Sequence, residues 1–311
     1  MTAPAPTHLT ARGPEDLLAL VPVVLGFVPA DSVVMLTFGP EHGFHARLDL
    51  PPPDVSVDEW AEMLLAPARQ HGVERVAFVA YAEAAEPARR TLGRLVRLFR
   101  EAGIDVVEAL RADGCRWWPV PPGGEPPGAG TPYDVGSHPF AAHAVVEGVV
   151  VHESRAHLAA TLDPVAERLA PGRGIVVAPG PLWVWSTLAR LARERAVADA
   201  GDAVRLLRAV HDDEAARDAA WLGVSRADAA AHVGVWTDLV RRAPDELLGD
   251  AAAVLAMVAW IAGQGALAWC AVDRCRTVDP HHTLATVVSD LLAAAVSPRA
   301  WDDRGRSDHP W

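Results

Sequence analysis

The chain has 311 residues, half of them apolar and 22% charged, enough for one large domain or two ordinary ones, each with its own core. Its 40 acidic and 28 basic residues leave a formal charge of −12, which weighs against nucleic acid and anionic membrane surfaces, because both reward basic stripes. Every basic residue is Arg and the chain has no Lys or Asn, which excludes Lys Schiff-base chemistry, a phosphate-loop Lys, the paired Lys of a protein kinase, an Asn-based catalytic loop and N-glycosylation.

The abundance of Ala, Gly, Pro and Arg points to a GC-rich genome. Cys115, Cys270 and Cys275 form no C-x-x-C pair and are too few for a disulfide framework, so a reducing cytoplasm is the expected setting. Two apolar runs imitate membrane or export signals. Leu17 to Ala30 ends in a Val-x-Ala pattern, but Glu15 and Asp16 abut it and Pro22 and Gly26 interrupt it. A buried helix and turn fit better than a cleaved signal. Ala251 to Val272 is long enough to span a bilayer, yet it is dominated by Ala and broken by Gly263 and Gly265. It reads as a soluble helical hairpin, and no membrane partner is expected.

After the first helix, Ser32 to Gly39 and Ala46 to Leu50 read as a hairpin across Gly43. Val57 to Gln70 has helical spacing through Trp60, Met63, Leu64 and Ala68, and Arg75 to Tyr81 is a strand rich in β-branched and aromatic residues. Between Glu86 and Glu101, Leu92, Leu95, Val96 and Phe99 line one helical face, and Gly103 can stop that helix. Asp105 to Leu110 then returns as a strand, and the following arm through Trp117 and Trp118 turns at Asp113-Gly114. The segment at 119–132 is too rich in Pro and Gly for regular structure and reads as a loop, either inert or a flap beside Trp117, Trp118 and Tyr133. Beyond it, His138 to Glu147 and Ser154 to Leu169 read as helices flanking a short strand at Gly148 to His152.

From Pro181 the pattern is helical throughout: Leu182 to Val197, Ala203 to His211, Asp213 to Leu222, Ala227 to Arg242, Leu247 to Ala262, Gly265 to Val278 and Thr283 to Val296. The last three resemble one tetratricopeptide unit, with Ala256 and Ala268 small where paired helices would touch. The expected architecture is an α/β or α+β domain with a mixed sheet at 1–179, then a helical bundle at 180–311.

Several residue groups carry chemistry. Asp31 and Ser32 open the first strand, where an open sheet presents side chains to a cleft, although Asp-Ser after Pro is also ordinary turn chemistry. His152, Glu153, Ser154 and Arg155 gather at a strand-to-helix junction that suits an anion, and Ser154 as a helix cap accounts for the same string. His211 to Glu214 (HDDE), with His281 and His282, have the residue types of metal ligands. Being consecutive, they splay around a helix, so no metal or other cofactor is expected. Most of the eleven Trp residues read as packing, but the adjacent Trp117 and Trp118 must face opposite sides of a strand, which makes them the best pointer to a ligand surface.

LLALVPVVLGFVPADSVVML, RWWPV, GTPYDVGSH, VVEGVVVHESRAHLAATLDP, RDAAW and GQGALAWCAVDRCRTVDPHHTLA together resemble the actinobacterial family catalogued as domain of unknown function 4192, over about His8 to Trp301. The resemblance implies an actinobacterial, cytoplasmic setting and a chain acting as one unit; it implies no reaction or site residue. One departure is Gln264, where an Asp or Asn is expected in the interhelical turn. Two functions remain. One is a non-enzymatic module that binds a small ligand or a protein partner near Asp31, Ser32, Trp117, Trp118, Tyr133, His152 and Arg155. The other is a hydrolase or transferase using Asp31, Ser32 and a histidine, His138 or His152, and it requires those side chains to converge.

Overall fold

The structure, a computed structural model, describes residues 11–39, 44–121, 128–170 and 179–304. Contacts divide the chain into two compact units, Met1–Ser154 and Arg155–Trp311. The sequence boundary at 179/180 falls later, because residues 155–169 bond to the helices that follow. Val165 and Leu169 donate their N–H groups to the carbonyls of Arg241 and Arg242 at 3.0 and 2.9 Å.

In the first unit, α1 (Pro14–Leu25) leads to β1 (Ser32–Phe38) and β2 (His45–Asp49), followed by α2 (Val57–Gln70), β3 (Arg75–Tyr81), α3 (Ala85–Glu101), β4 (Asp105–Ala112), β5 (Arg116–Pro119), β6 (Thr131–Pro132) and α4 (Pro139–Val146). The strands form one sheet in the order β2-β1-β3-β4-β5-β6. Only β3 and β4, joined through α3, run parallel; the other pairs are antiparallel. This mixed sheet is the expected class.

Side-chain alternation sorts the sheet into two faces. Val33, Met35, Val76, Phe78 and Ala80 pack with Trp60, Leu64, Leu92, Leu95 and Phe99 from α2 and α3. Val34, Leu36, Ala77, Val79, Tyr81 and Leu110 pack with Leu17, Leu18, Leu20 and Val21 of α1, joined by Trp117, Tyr133 and Phe140. The apolar run at the chain start is therefore one side of a core. It stops at Gly26, whose φ of 77° is left-handed and whose N–H bonds to the Pro22 carbonyl.

The Asp113-Gly114 turn forms as expected: Asp113 Oδ1 accepts from the N–H groups of Cys115 and Arg116, and Gly114 takes φ 96°. The hairpin turn at Gly43 lies outside the described residues, as do 122–127 of the Pro/Gly-rich loop. The end of that loop adds β6, which the sequence analysis missed because two residues carry no alternation. It closes on Trp118: the indole Nε1–H donates to Gly128 O, and a Cβ on Gly130 would lie 2.4 Å from Trp118 Cε2, so only Gly fits there. The strand expected at Gly148 to His152 reduces to one bridge, Phe27 to His152. The helix expected from Ser154 ends at Ala160, four residues before Pro164, which has no N–H to bond the Ala160 carbonyl and whose ring would clash with it.

In the second unit, α5 (Arg155–Ala160) is followed by α6 (Pro181–Glu194), α7 (Ala200–Asp212), α8 (Glu214–Leu222), α9 (Ala229–Arg242), α10 (Asp245–Ile261), α11 (Gly265–Arg276), α12 (Thr283–Ala293) and a short α13 (Arg299–Arg304). Helix α10 is the axis: every residue from Leu247 to Ile261 is buried, and α7, α8, α9, α11 and α12 all pack on it. Gly263, at φ 76°, separates α10 from α11, and among the described residues no helix is long and apolar enough to cross a membrane. Gln264 occupies the α11 N-cap without a side-chain capping bond, which an Asp or Asn would supply. The paired helices are present, but nothing in their packing identifies a tetratricopeptide repeat. Trp236 and Trp260 are buried, and Trp301 packs at a tilt against Trp221 and edge to face against Trp260, as packing Trp residues should.

Candidate functional site

The two parallel strands end at Tyr81 and Ala112, and ligands of open α/β sheets gather at such carboxyl ends. Strand register draws a row across this end of the sheet. Ser32 stands opposite Tyr81, Tyr81 opposite Ala112, Ala112 opposite Trp117, and Trp117 opposite Thr131. Opposed residues point to one face, which here is the α1 face. Ser32 is fully buried and Tyr81 is 5% exposed. Ser32 Oγ, Tyr81 Oη and Trp117 Nε1 are all buried with no hydrogen-bond partner among the described residues.

Three orphaned polar atoms along one row are costly, since each gives up water without replacement, at about 1–3 kcal/mol apiece. Tyr133 packs on the same face. Burial, and then the Asp113 charge, push its phenol up to about 12; burial, and then Tyr133, raise Tyr81 well above the ordinary tyrosine value. Both phenols are therefore neutral hydrogen-bond donors at any physiological pH. Asp31, just before the row, holds a left-handed φ of 42°, which Asp tolerates better than most residues, and its carbonyl accepts from Leu50 N–H.

One residue further along each strand the opposite face begins. Val33, Ala80, Arg111 and Trp118 form the adjacent row, so Trp117 and Trp118 do face opposite sides. The Arg111 guanidinium lies 3.7 Å above the Trp118 ring. Arg111 and Tyr81 escaped the sequence analysis, although an Arg within the apolar strand ALRA is the kind of signal that marks a special position.

Of the other expected site residues, His152 pairs through its backbone, donating N–H to Gly26 O at 2.8 Å and accepting from Val28 N–H at 2.9 Å. Arg155 belongs to the second unit and forms an ion pair with Asp273 at 2.7 Å. His138 caps α4: its Nδ1 accepts from Phe140 N–H, so Nε2 carries the proton and donates to Asp16 Oδ1 at 3.0 Å. Neither histidine bonds to Ser32 Oγ, so the Ser-His pair of the hydrolase reading is not formed.

The second unit holds one buried ionic cluster. Asp250, on α10, accepts from His211 Nδ1 at 2.8 Å, His282 Nε2 at 3.1 Å and Arg217 Nη1 at 3.0 Å. Burial works to raise the Asp250 pKa, but the bonds from His282, His211 and Arg217 outweigh it and hold the carboxyl down at about 2. An ionised carboxylate only accepts, so both rings donate to it, and it ties α7, α8 and the start of α12 to α10. His211 and His282, considered as metal ligands, are thus committed to a carboxylate, and no metal-binding group of three or more His, Cys, Asp or Glu occurs among the described residues.

No curated protein and no solved structure matches this chain. A family model described as domain of unknown function (DUF4192) matches residues 14–174 and 184–299, and with most of its length covered the chain belongs to that family.

Proposed function

We propose that the protein is a non-enzymatic binding module whose first unit takes a small ligand at the carboxyl end of β3 and β4. The observation that carries this reading is the row Ser32, Tyr81 and Trp117, three buried polar atoms left without partners on one face. A ligand presenting acceptor groups spaced along the row would satisfy them, while Trp117 and Tyr133 supply aromatic surface for its apolar part. The hydrolase or transferase alternative lacks its general base at Ser32. Free thiols at Cys270 and Cys275, both buried, favour a reducing cytoplasm as the setting.

A thermal-shift screen of the purified protein against metabolites, nucleotides and divalent metals tests this reading. A ligand at about 100 times its Kd adds about 2.7 kcal/mol, a shift of a few degrees for a chain of this size. The expected result is a specific rise that Tyr81→Phe or Trp117→Ala abolishes. A rise that both variants retain, or a screen that stays flat, overturns the assignment.

A further inference from the structure

The geometry points to a pH-operated latch: His138 fastens the start of α4 to α1 while its ring is neutral, and lets go of α4 when the ring takes up a second proton. The two ring nitrogens do different jobs. Nδ1 accepts from Phe140 N–H at 3.2 Å and so caps α4, while Nε2–H donates to Asp16 Oδ1 on α1 at 3.0 Å. Only the neutral ring with its proton on Nε2 can do both, because a cap needs a lone pair and a doubly protonated imidazole has none.

Protonation at Nδ1 turns the cap acceptor into a donor aimed at the Phe140 donor, at the positive end of the helix dipole. The bond to Asp16 survives it, since a charged imidazole donates to a carboxylate more strongly than a neutral one. The ring therefore stays with α1 and leaves α4. Water can deliver the proton, as the side chains of His138 and Asp16 are 17% and 25% exposed. Asp16 also accepts from Arg12 N–H at 2.6 Å through its other oxygen, and Glu15 beside it is exposed. In the segment before α4, Asp134 is turned to Gly136 N–H, and the Tyr133 phenol, pushed up to about 12, is neutral. On α4 itself, His143 lies 4.0 Å from Glu147 at the far end.

Helix α4 leans heavily on this cap. It has eight residues, too few to be stable alone, and it packs on α1 with Val145 and Val146 left exposed at its end. Phe140 is the residue that the latch seats. Its ring meets the His138 ring edge to face, with centroids 4.7 Å apart, and packs on the same α1-face core as Trp117 and Tyr133. Release of the first turn of α4 thus frees an aromatic side chain from the core that holds Tyr81. Only this last link, from latch to ligand surface, rests on the proposed binding function, and the latch itself is tested without ligand.

Amide exchange of isotope-labelled, ligand-free full-length protein, read by NMR and corrected for the intrinsic pH dependence of exchange, tests the latch. Between about pH 8 and about pH 5, where imidazoles take up their second proton, protection of Phe140 and the next amides of α4 should fall by about fivefold, the loss of one helix cap. Protection of Val34 and Val79 in the sheet should not change. His138→Asn and His138→Ser each supply a cap that does not titrate, so in both variants the protection of α4 should be the same at the two pH values. Wild-type protection that does not fall, or a fall that persists in either variant, overturns the inference.

Discussion

Asp250→Ala should lower the stability of the protein by about 3–5 kcal/mol, the range seen when one partner of a buried charge cluster is removed. The Asp250 side chain is 13% exposed and Arg217 is 20% exposed, so the substitution leaves a part-buried guanidinium with only the exposed Glu214 as counter-charge and the buried His282 ring without its acceptor. Guanidinium unfolding measures the change as a lower midpoint. Because the groups act together, Arg217→Met should cost less in the Asp250→Ala background than in the wild type, a coupling read from the double-mutant cycle. Additive costs would mean that the cluster does not act as a unit.

The same cluster sets an acid limit. The folded carboxyl titrates at about 2 against an ordinary value of 3.8, so its contribution is fully present above the ordinary value. It is lost as pH falls through the folded value, and the shift corresponds to about 2 kcal/mol. Between those limits the wild type should therefore lose stability that Asp250→Ala has already lost.

Phe99→Ala should cost about 3–5 kcal/mol through a different mechanism. Phe99 is fully buried on α3 and meets Phe78 of β3 edge to face, with ring centroids 4.9 Å apart and planes at 83°. Removing it opens a cavity between α3 and the sheet and forfeits an aromatic pair. Phe99→Leu, which fills much of that volume, should cost clearly less, and the two variants are compared by their denaturant midpoints. A loss below about 1 kcal/mol for Phe99→Ala would mean that the helix repacks freely over the sheet.

Periodicity carried most of the fold. Phe99 lies on the helical face read from Leu92, Leu95 and Val96, and β3 and α2 have the bounds that their patterns indicate. Elements set by tertiary pairing were less visible. β6 has two residues, and the described part of its preceding loop is shaped by Trp118 and not by its own propensity. The Ser154 helix shortened because Pro164 disrupts the helical bond to the carbonyl four residues back, at Ala160.

The sites were legible one residue at a time. Ser32, Trp117 and Tyr133 come together on one face only through strand register, and Tyr81 joins them across β1 and β3, a long-range pairing that local pattern does not encode. His211 and His282 were visible as chemistry, but as members of consecutive polar runs they looked splayed around a helix. Their common partner, Asp250, is the one charge within the buried stretch of α10, and a lone acid in so apolar a helix is the signal that points to it.

The account turns on whether the row at the end of β3 is truly orphaned in the free protein. Denaturant unfolding of ligand-free Ser32→Ala and Tyr81→Phe measures this directly, because deleting a polar group that makes no bond removes a cost and no contact. A gain of about 1–3 kcal/mol per site, the desolvation cost recovered, is the predicted result. A loss of about 1 kcal/mol or more at each site would show that these groups are already satisfied, and would contradict the reading of the row as a binding surface.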